Sequence, residues 1–179
     1  KQASERNMGM KTTNLIWMDG KFVKWKNAKV HILTHALHYG SSVFEGIHSY
    51  ETGQGTAIFR LDEHIDRLFL SASAMSMKLK FTKTRLKQAV KNLIKINKVG
   101  DAYIRPLVYY GYGNIGVYPK DVPTNAAIVA IPFEHYFSKN LKVMTSKYVR
   151  HSEKETVYGT KIGGNYANSI LAMYEARKK

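Results

Sequence analysis

The chain has 179 residues, 44% of them hydrophobic and 23% charged, and no cysteine. That length holds one domain, or one domain and part of a second, and the balance is that of a globular chain; a disordered tail, a disulfide scaffold, a thiolate metal site and a cysteine nucleophile are excluded together. Twenty-eight Lys and Arg against 13 Asp and Glu leave a net charge of +15, which draws anionic ligands to the surface without choosing among nucleic acid, acidic metabolites and phosphorylated cofactors. No apolar run reaches the roughly 20 residues of a membrane span, and the polar start lacks the apolar core of a signal peptide. The expectation is a cytoplasmic protein, with residues 1–13 set aside as an extension or cloning remnant.

From residue 15 to 25 two short apolar segments flank Asp19-Gly20, the dipeptide that supplies positive φ to a tight hairpin turn. Residues 43–50 read as a strand, 52–55 as a glycine-containing turn and 56–59 as a second strand, giving another hairpin. After Asp62, the residues Ile65, Leu68, Phe69 and Ala72 recur at helical spacing, and Leu86, Val90, Leu93 and Ile94 repeat the pattern. The second helix is expected to end where Gly100 takes the left-handed cap, with Lys95 and Lys98 facing the negative end of its dipole. Residues 102–110 and 126–133 read as strands around an irregular, Gly- and Pro-rich loop at 111–123. The fold class is therefore mixed α/β (α+β): a small N-terminal domain over 14–138, mostly antiparallel sheet with helices on one side. A linker at 139–141 follows. Residues 142–179, with a strand at 142–150 and a helix carrying Ile170, Leu171 and Tyr174 as an apolar stripe, read as the start of a larger, incomplete domain.

Several constellations could carry chemistry. His31, His35 and His38 lie close enough to share a metal, although no acidic residue in the segment completes a ligand set, and ordinary hydrogen-bonded histidines explain them too. No Gly-x-Ser-x-Gly elbow is present. The string Gly111-Tyr112-Gly113-Asn114-Ile115-Gly116 has dinucleotide-fingerprint spacing, but Pro119 and Pro123 forbid the helix that would hold a pyrophosphate. Tyr103 and Arg105, two apart on a strand, face the same side and could grip a carboxylate; an arginine at a sheet edge, where Pro106 is at home, is the alternative. Lys161 sits in the glycine-rich bend from Tyr158 to Tyr166, leading into a helix. An amine there is open to a ligand and can act as a nucleophile toward an aldehyde, unless it is simply a solvated loop lysine.

The runs His35-Ala36-Leu37-His38-Tyr39-Gly40, Ser42-Val43-Phe44-Glu45-Gly46-Ile47 and Phe59-Arg60-Leu61-Asp62-Glu63-His64-Ile65-Asp66-Arg67-Leu68 resemble class IV aminotransferases of the branched-chain type. So do Ala102-Tyr103-Ile104-Arg105-Pro106-Leu107 and Lys161-Ile162-Gly163-Gly164-Asn165-Tyr166, in the family's order. The resemblance implies a fold type IV enzyme using pyridoxal 5'-phosphate to move the amino group of Leu, Ile or Val to 2-oxoglutarate by a ping-pong route. It implies Lys161 as the Schiff-base lysine and proton carrier, Arg67 on the cofactor phosphate and Tyr166 on the pyridine hydroxyl. Tyr39, Phe44, Tyr103 and Tyr136 would surround the substrate side chain, with Arg105 and Tyr39 holding the distal carboxylate of glutamate. Val117 would tip a loop reaching into a partner's pocket, so a homodimer is implied. His48 stands where branched-chain members commonly carry Arg or Lys, which leaves the side-chain preference open. Family chains also continue past the helix after the lysine, into segments that supply the carboxylate paired with the pyridine nitrogen; this chain alone is accordingly expected to be nearly inactive. D-amino acid aminotransferases and aminodeoxychorismate lyases would use the same Lys161 and Arg67. From another class, the charge would suit a nucleic-acid-binding module, and the chain could also be a dimerisation module.

Overall fold

Asp19 and Gly20 take positive φ, 45° and 94°, and their turn joins β1 (Leu15–Met18) to β2 (Lys21–Lys24) in the expected antiparallel hairpin. The computed structural model describes residues 11–132 and 141–178. After a single 3-10 turn at Trp25–Asn27 come α1 (His35–Tyr39), β3 (Ser42–Phe44), β4 (Ile47–Thr52) and β5 (Gly55–Ile58). Then follow α2 (Leu61–Ala74), α3 (Lys83–Asn97), β6 (Ala102–Tyr110), β7 (Thr124–Pro132) and α4 (Tyr166–Arg177). The strands form one sheet in the order β2-β1-β7-β6-β4-β5, with β3 also on β6, and every pairing is antiparallel.

The single strand expected at 43–50 is divided, and the cause lies across the sheet. Phe44 pairs with Leu107 and Ile47 with Ile104, so the register carries straight through and sets Glu45 and Gly46 opposite Pro106 and Arg105. Glu45 donates its N–H to the Pro106 carbonyl at 2.9 Å, but proline has no N–H to return. The ladder therefore lapses at Glu45 and Gly46. The same register corrects the edge reading of Pro106: β6 lies inside the sheet, and the proline sits at the gap between β3 and β4.

Helices α2 and α3 cover one face. Ile65, Leu68 and Ala72 of α2 and Leu86, Val90 and Leu93 of α3 are buried with Val43, Ile47, Ile104, Val108 and Ile128 of the sheet, each large aliphatic contributing roughly 1.5–3 kcal/mol. Asp62 and Glu63 occupy the first turn of α2, where negative charge meets the positive end of the helix dipole. Thr82 caps α3, accepting from Arg85 N–H at 3.2 Å. Its far end corrects another expectation. Lys98, not Gly100, takes the left-handed conformation (φ 53°) and closes the helix through its own amide, because the helix ends earlier than its glycine. Gly100 instead leaves room for Glu51, whose Oε2 would lie 2.7 Å from an added Cβ.

Residues 142–150, expected as a strand, are irregular: among the described residues none of their backbone groups joins a sheet ladder. The apolar stripe of α4 forms but is uncovered, with Ile170, Leu171 and Tyr174 all exposed. Tyr136 and most of the expected linker lie outside the described residues. No helix follows the glycine string at 111–116. Among the described residues no helix is long and apolar enough to cross a membrane.

Candidate active site

Alternation along β6 buries Ile104 and Val108 against the helices and turns Tyr103 and Arg105 to the opposite face. There Arg105 Nη2 donates to the Tyr103 hydroxyl at 2.7 Å. The guanidinium stands 4.8 Å from the centre of the Phe44 ring and 5.1 Å from that of Tyr103, distances at which the cation is held by the ring faces. Gly46, opposite Arg105, keeps this face open; an added Cβ would meet the Tyr103 ring 3.0 Å from Cζ. His48 pairs with Tyr103 in the register and meets its ring edge-on at 5.5 Å.

The lysine reaches the same Phe44 ring. Residues 161–164 lie along β3: Ile162 bridges to Val43, Phe44 N–H donates to the Lys161 carbonyl at 3.1 Å, Gly163 N–H to Ser42 O at 2.7 Å, and Gly164 N–H to Gly40 O at 3.0 Å. Glycine is required at Gly40, where φ is +62° and an added Cβ would fall 2.7 Å from Gly164 Cα. Lys161 Nζ donates to the Tyr166 hydroxyl at 2.5 Å and lies 4.7 Å from the Phe44 ring centre. The Phe44 and Tyr166 rings are 4.9 Å apart. One aromatic ring thus has both an amine and a guanidinium within 5 Å of its centre.

Beneath this group α2 presents Arg67. Its Nε and Nη2 donate to the two carboxylate oxygens of Glu45 at 2.6 and 2.7 Å, and His64 Nδ1 lies 2.8 Å from Glu45 Oε2. The Glu45 side chain is fully buried, whereas about half of Arg67, 46%, is exposed. Burial by itself would push the Glu45 carboxyl up, but the hydrogen bonds from Arg67 and His64 outweigh it and hold the group below its ordinary value. The hydrogen bond to Glu45 in turn raises Arg67 above the ordinary guanidinium range. Ser71, one turn further along α2 and buried, donates to the Arg67 carbonyl at 2.8 Å and accepts from Lys161 N–H at 2.9 Å.

Arg67, Lys161 and Tyr166 line one cleft of about 570 Å³, together with Arg150, His151 and Thr160. A half-exposed arginine whose outer edge makes no hydrogen bond among the described residues, a second arginine, a primary amine and a phenol form the donor set that a phosphorylated aldehyde with a ring hydroxyl requires, so the residues present fit pyridoxal phosphate.

Other candidates lie elsewhere. The Tyr39 hydroxyl donates to the Ile115 carbonyl, which ties this residue to the 111–118 loop; Val117 on that loop is 78% exposed. His35 is buried, with Nδ1 2.7 Å from Ser41 Oγ and Nε2 2.9 Å from the Gly116 carbonyl. His38 Nε2 lies 3.0 Å from the Ile32 carbonyl, and His31 Nδ1 accepts from Leu33 N–H at 3.1 Å. Glu45, His64 and Ser71 escaped sequence reasoning as site residues. A signal existed for the first: in the alternation of residues 43–49, Glu45 falls among the inward positions, and a carboxylate there must be paired.

The class of protein follows from comparison with known families. Residues 42–179 match the family described as Amino-transferase class IV, and the chain belongs to that family. Its fold is the N-terminal part of the fold type IV aminotransferases, a mixed α/β arrangement around an antiparallel sheet. Among curated relatives, the branched-chain-amino-acid aminotransferase of Pseudomonas aeruginosa is 40% identical over 167 residues, covering 90% of this chain and 54% of the relative. The enzyme of the same name from Escherichia coli K12 is 37% identical, covering 96% and 57%. Among solved structures, the Escherichia coli branched-chain amino acid aminotransferase superposes with a TM-score of 0.89 at 37% identity, covering 93% of this chain and 57% of that one. The T.th. branched-chain amino acid aminotransferase with pyridoxamine 5'-phosphate gives 0.87 at 39% identity, covering 92% and 56%. The chain spans about half the length of the relatives it matches.

Proposed function

We propose that this chain forms part of a branched-chain amino acid aminotransferase that uses pyridoxal 5'-phosphate and moves the amino group of Leu, Ile or Val to 2-oxoglutarate. The observation that carries the reading is the cleft where the Lys161 amine, the Tyr166 hydroxyl and the outer edge of the Arg67 guanidinium converge. The names of the relatives support it, and they do not favour the D-amino acid or lyase alternatives. In this reading Arg67 binds the cofactor phosphate, Tyr166 the ring hydroxyl and Lys161 the aldehyde. Bound there, pyridoxal phosphate supplies an electrophilic carbon and a conjugated ring that withdraws electrons from the bond being broken.

The remaining chemistry belongs to the chain. Lys161 Nζ, held on the Phe44 ring and the Tyr166 hydroxyl, is the nucleophile; released by the substrate amine, it takes the α-proton of the amino donor and would pass it to the cofactor's aldehyde carbon, reversing that transfer on the 2-oxo acid in the second half-reaction. The Phe44 ring and the stem of Tyr103 give a branched aliphatic side chain an apolar wall. Arg105 and the Tyr103 hydroxyl give the distal carboxylate of glutamate a fork of donors, so one pocket serves both substrates. The family resemblance assigns Tyr39 and Tyr136 to the same substrate pocket, and the exposed loop with Val117 to contact with a second copy of the chain in a homodimer.

Difference spectra of the cofactor-loaded chain, titrated with L-leucine, L-glutamate and D-alanine, test the reading. L-Leucine and L-glutamate are expected to shift the cofactor band and D-alanine to leave it unchanged. Arg105→Leu should weaken the response to L-glutamate about tenfold, as loss of a charged hydrogen bond implies, and spare that to L-leucine. A response to D-alanine with none to L-leucine would overturn it.

A further inference from the structure

Lys161 reaches the cleft from a segment with no core of its own, yet covalent chemistry needs its amine within a fraction of an ångström of one place relative to the other ligand-holding groups. The backbone supplies that precision. The Lys161 carbonyl accepts from Phe44 N–H, and its amide N–H donates to Ser71 Oγ. Both peptide groups of the lysine are thereby pinned, one to the sheet and one to α2.

Ser71 is an unusual choice for the interior of a helix, where serine has no propensity advantage and tends to bond back to the preceding turn. Here it does so, donating to the carbonyl of Arg67 four residues earlier. A hydroxyl offers one proton and two lone pairs; the proton goes to Arg67 and a lone pair to Lys161, in a fully buried position. The two residues read above as the phosphate-binding and the covalent anchors of one ligand are joined through a single oxygen atom.

We infer that Ser71 is a positioning residue that sets the lysine amine at the correct distance from the arginine fork, so that one ligand reaches both. The inference rests on the reading of Lys161 and Arg67 in the proposed function. Its signature is selective. Losing the hydroxyl should disturb the delivery of the amine while leaving the Arg67 side chain, held separately by Glu45, able to bind phosphate.

The test compares two ligands and two shape-matched variants of the whole chain. Pyridoxal 5'-phosphate engages both anchors, whereas pyridoxine 5'-phosphate has no aldehyde for the lysine. The ratio of their dissociation constants measures what Lys161 adds. Ser71→Thr keeps the hydroxyl and Ser71→Val has the same shape without it, so any strain from the added methyl group is common to both. Ser71→Thr is expected to keep the wild-type ratio within about threefold, and Ser71→Val to lose about tenfold of it, the effect of stranding a buried amide donor. Affinity for pyridoxine 5'-phosphate should be the same in both variants. Equal ratios in the two variants, in a wild-type background that does favour the aldehyde, would overturn the role of Ser71 alone. A wild-type chain that does not discriminate between the ligands would overturn the reading of Lys161 itself, and the role of Ser71 with it.

Discussion

From β1 to β7 the chain buries its apolar side chains in one cluster running from Trp17 to Ala130, whereas none of the described residues from 141 to 178 is buried. The first region is held by packing. The second, which carries Lys161, packs only Ile162 among its described residues against that cluster and is otherwise held by backbone hydrogen bonds to Gly40, Ser42, Phe44 and Ser71. The reactive amine therefore belongs to a segment that contributes little to stability and takes its position from the sheet and α2. A site built this way separates the groups that make the frame from the groups that do the chemistry, and mutations should reveal the separation.

The largest expected effect is chemical and confined to the second region. Lys161→Ala should abolish borohydride-fixed attachment of pyridoxal phosphate at this position while changing unfolding free energy by no more than about 0.5 kcal/mol; intact mass and urea melts measure the two. Stability should move in the opposite pattern. Leu93→Ala, in the fully buried face of α3, is expected to cost about 3 kcal/mol, and Leu171→Ala, exposed on α4, within about 0.5 kcal/mol. Equal losses at the two leucines would break the comparison. Between the regions, Gly40→Ala drives a Cβ into Gly164 and should weaken pyridoxal phosphate binding about tenfold, as a left-handed, crowded position implies, while the amide protection of α3 in hydrogen exchange stays unchanged.

The smallest effect is a pH dependence seated in the frame. Because the folded Glu45 carboxyl is held below its ordinary value by Arg67 and His64 against the opposing effect of burial, its stabilisation is present above the ordinary carboxylate pKa of about 4.3 and is lost as pH falls through the lower folded value. Stability of the wild type should decline over that acid interval. Glu45→Gln, less stable at neutral pH, should show a flatter decline. A parallel pair of curves would mean that Glu45 does not titrate with folding.

Much of this arrangement was legible in the sequence because it is local. The Asp19-Gly20 hairpin, the helical spacing of Ile65, Leu68 and Ala72, and the run from 102 to 110 each carry their signal within a few residues. What escaped depends on a partner distant in the chain. The interruption at Glu45 is caused by a proline on another strand, the cap at Lys98 by where the helix stops packing, and the irregular course of 142–150 goes with side chains of α4 taking up its backbone, Glu175 accepting from Lys147 N–H and Asn168 donating to the Val149 carbonyl. The site divides in the same way. Tyr103 and Arg105 could be paired from strand alternation alone, Lys161 stood out in its glycine-rich bend as a candidate nucleophile and gained its role from family resemblance, and Arg67, Tyr166 and Phe44 came through that resemblance. Ser71 gave no sign, since its meaning depends on an amide 90 residues further along.

Peptide mapping after incubation with pyridoxal phosphate and borohydride reduction tests most directly whether the frame delivers a reactive amine to a cofactor cleft. The expected result is a reduced adduct on the peptide containing Lys161, diminished when Arg67 is replaced by methionine and the phosphate loses its guanidinium. An adduct spread over exposed lysines such as Lys91 and Lys95, with none on Lys161, would contradict it.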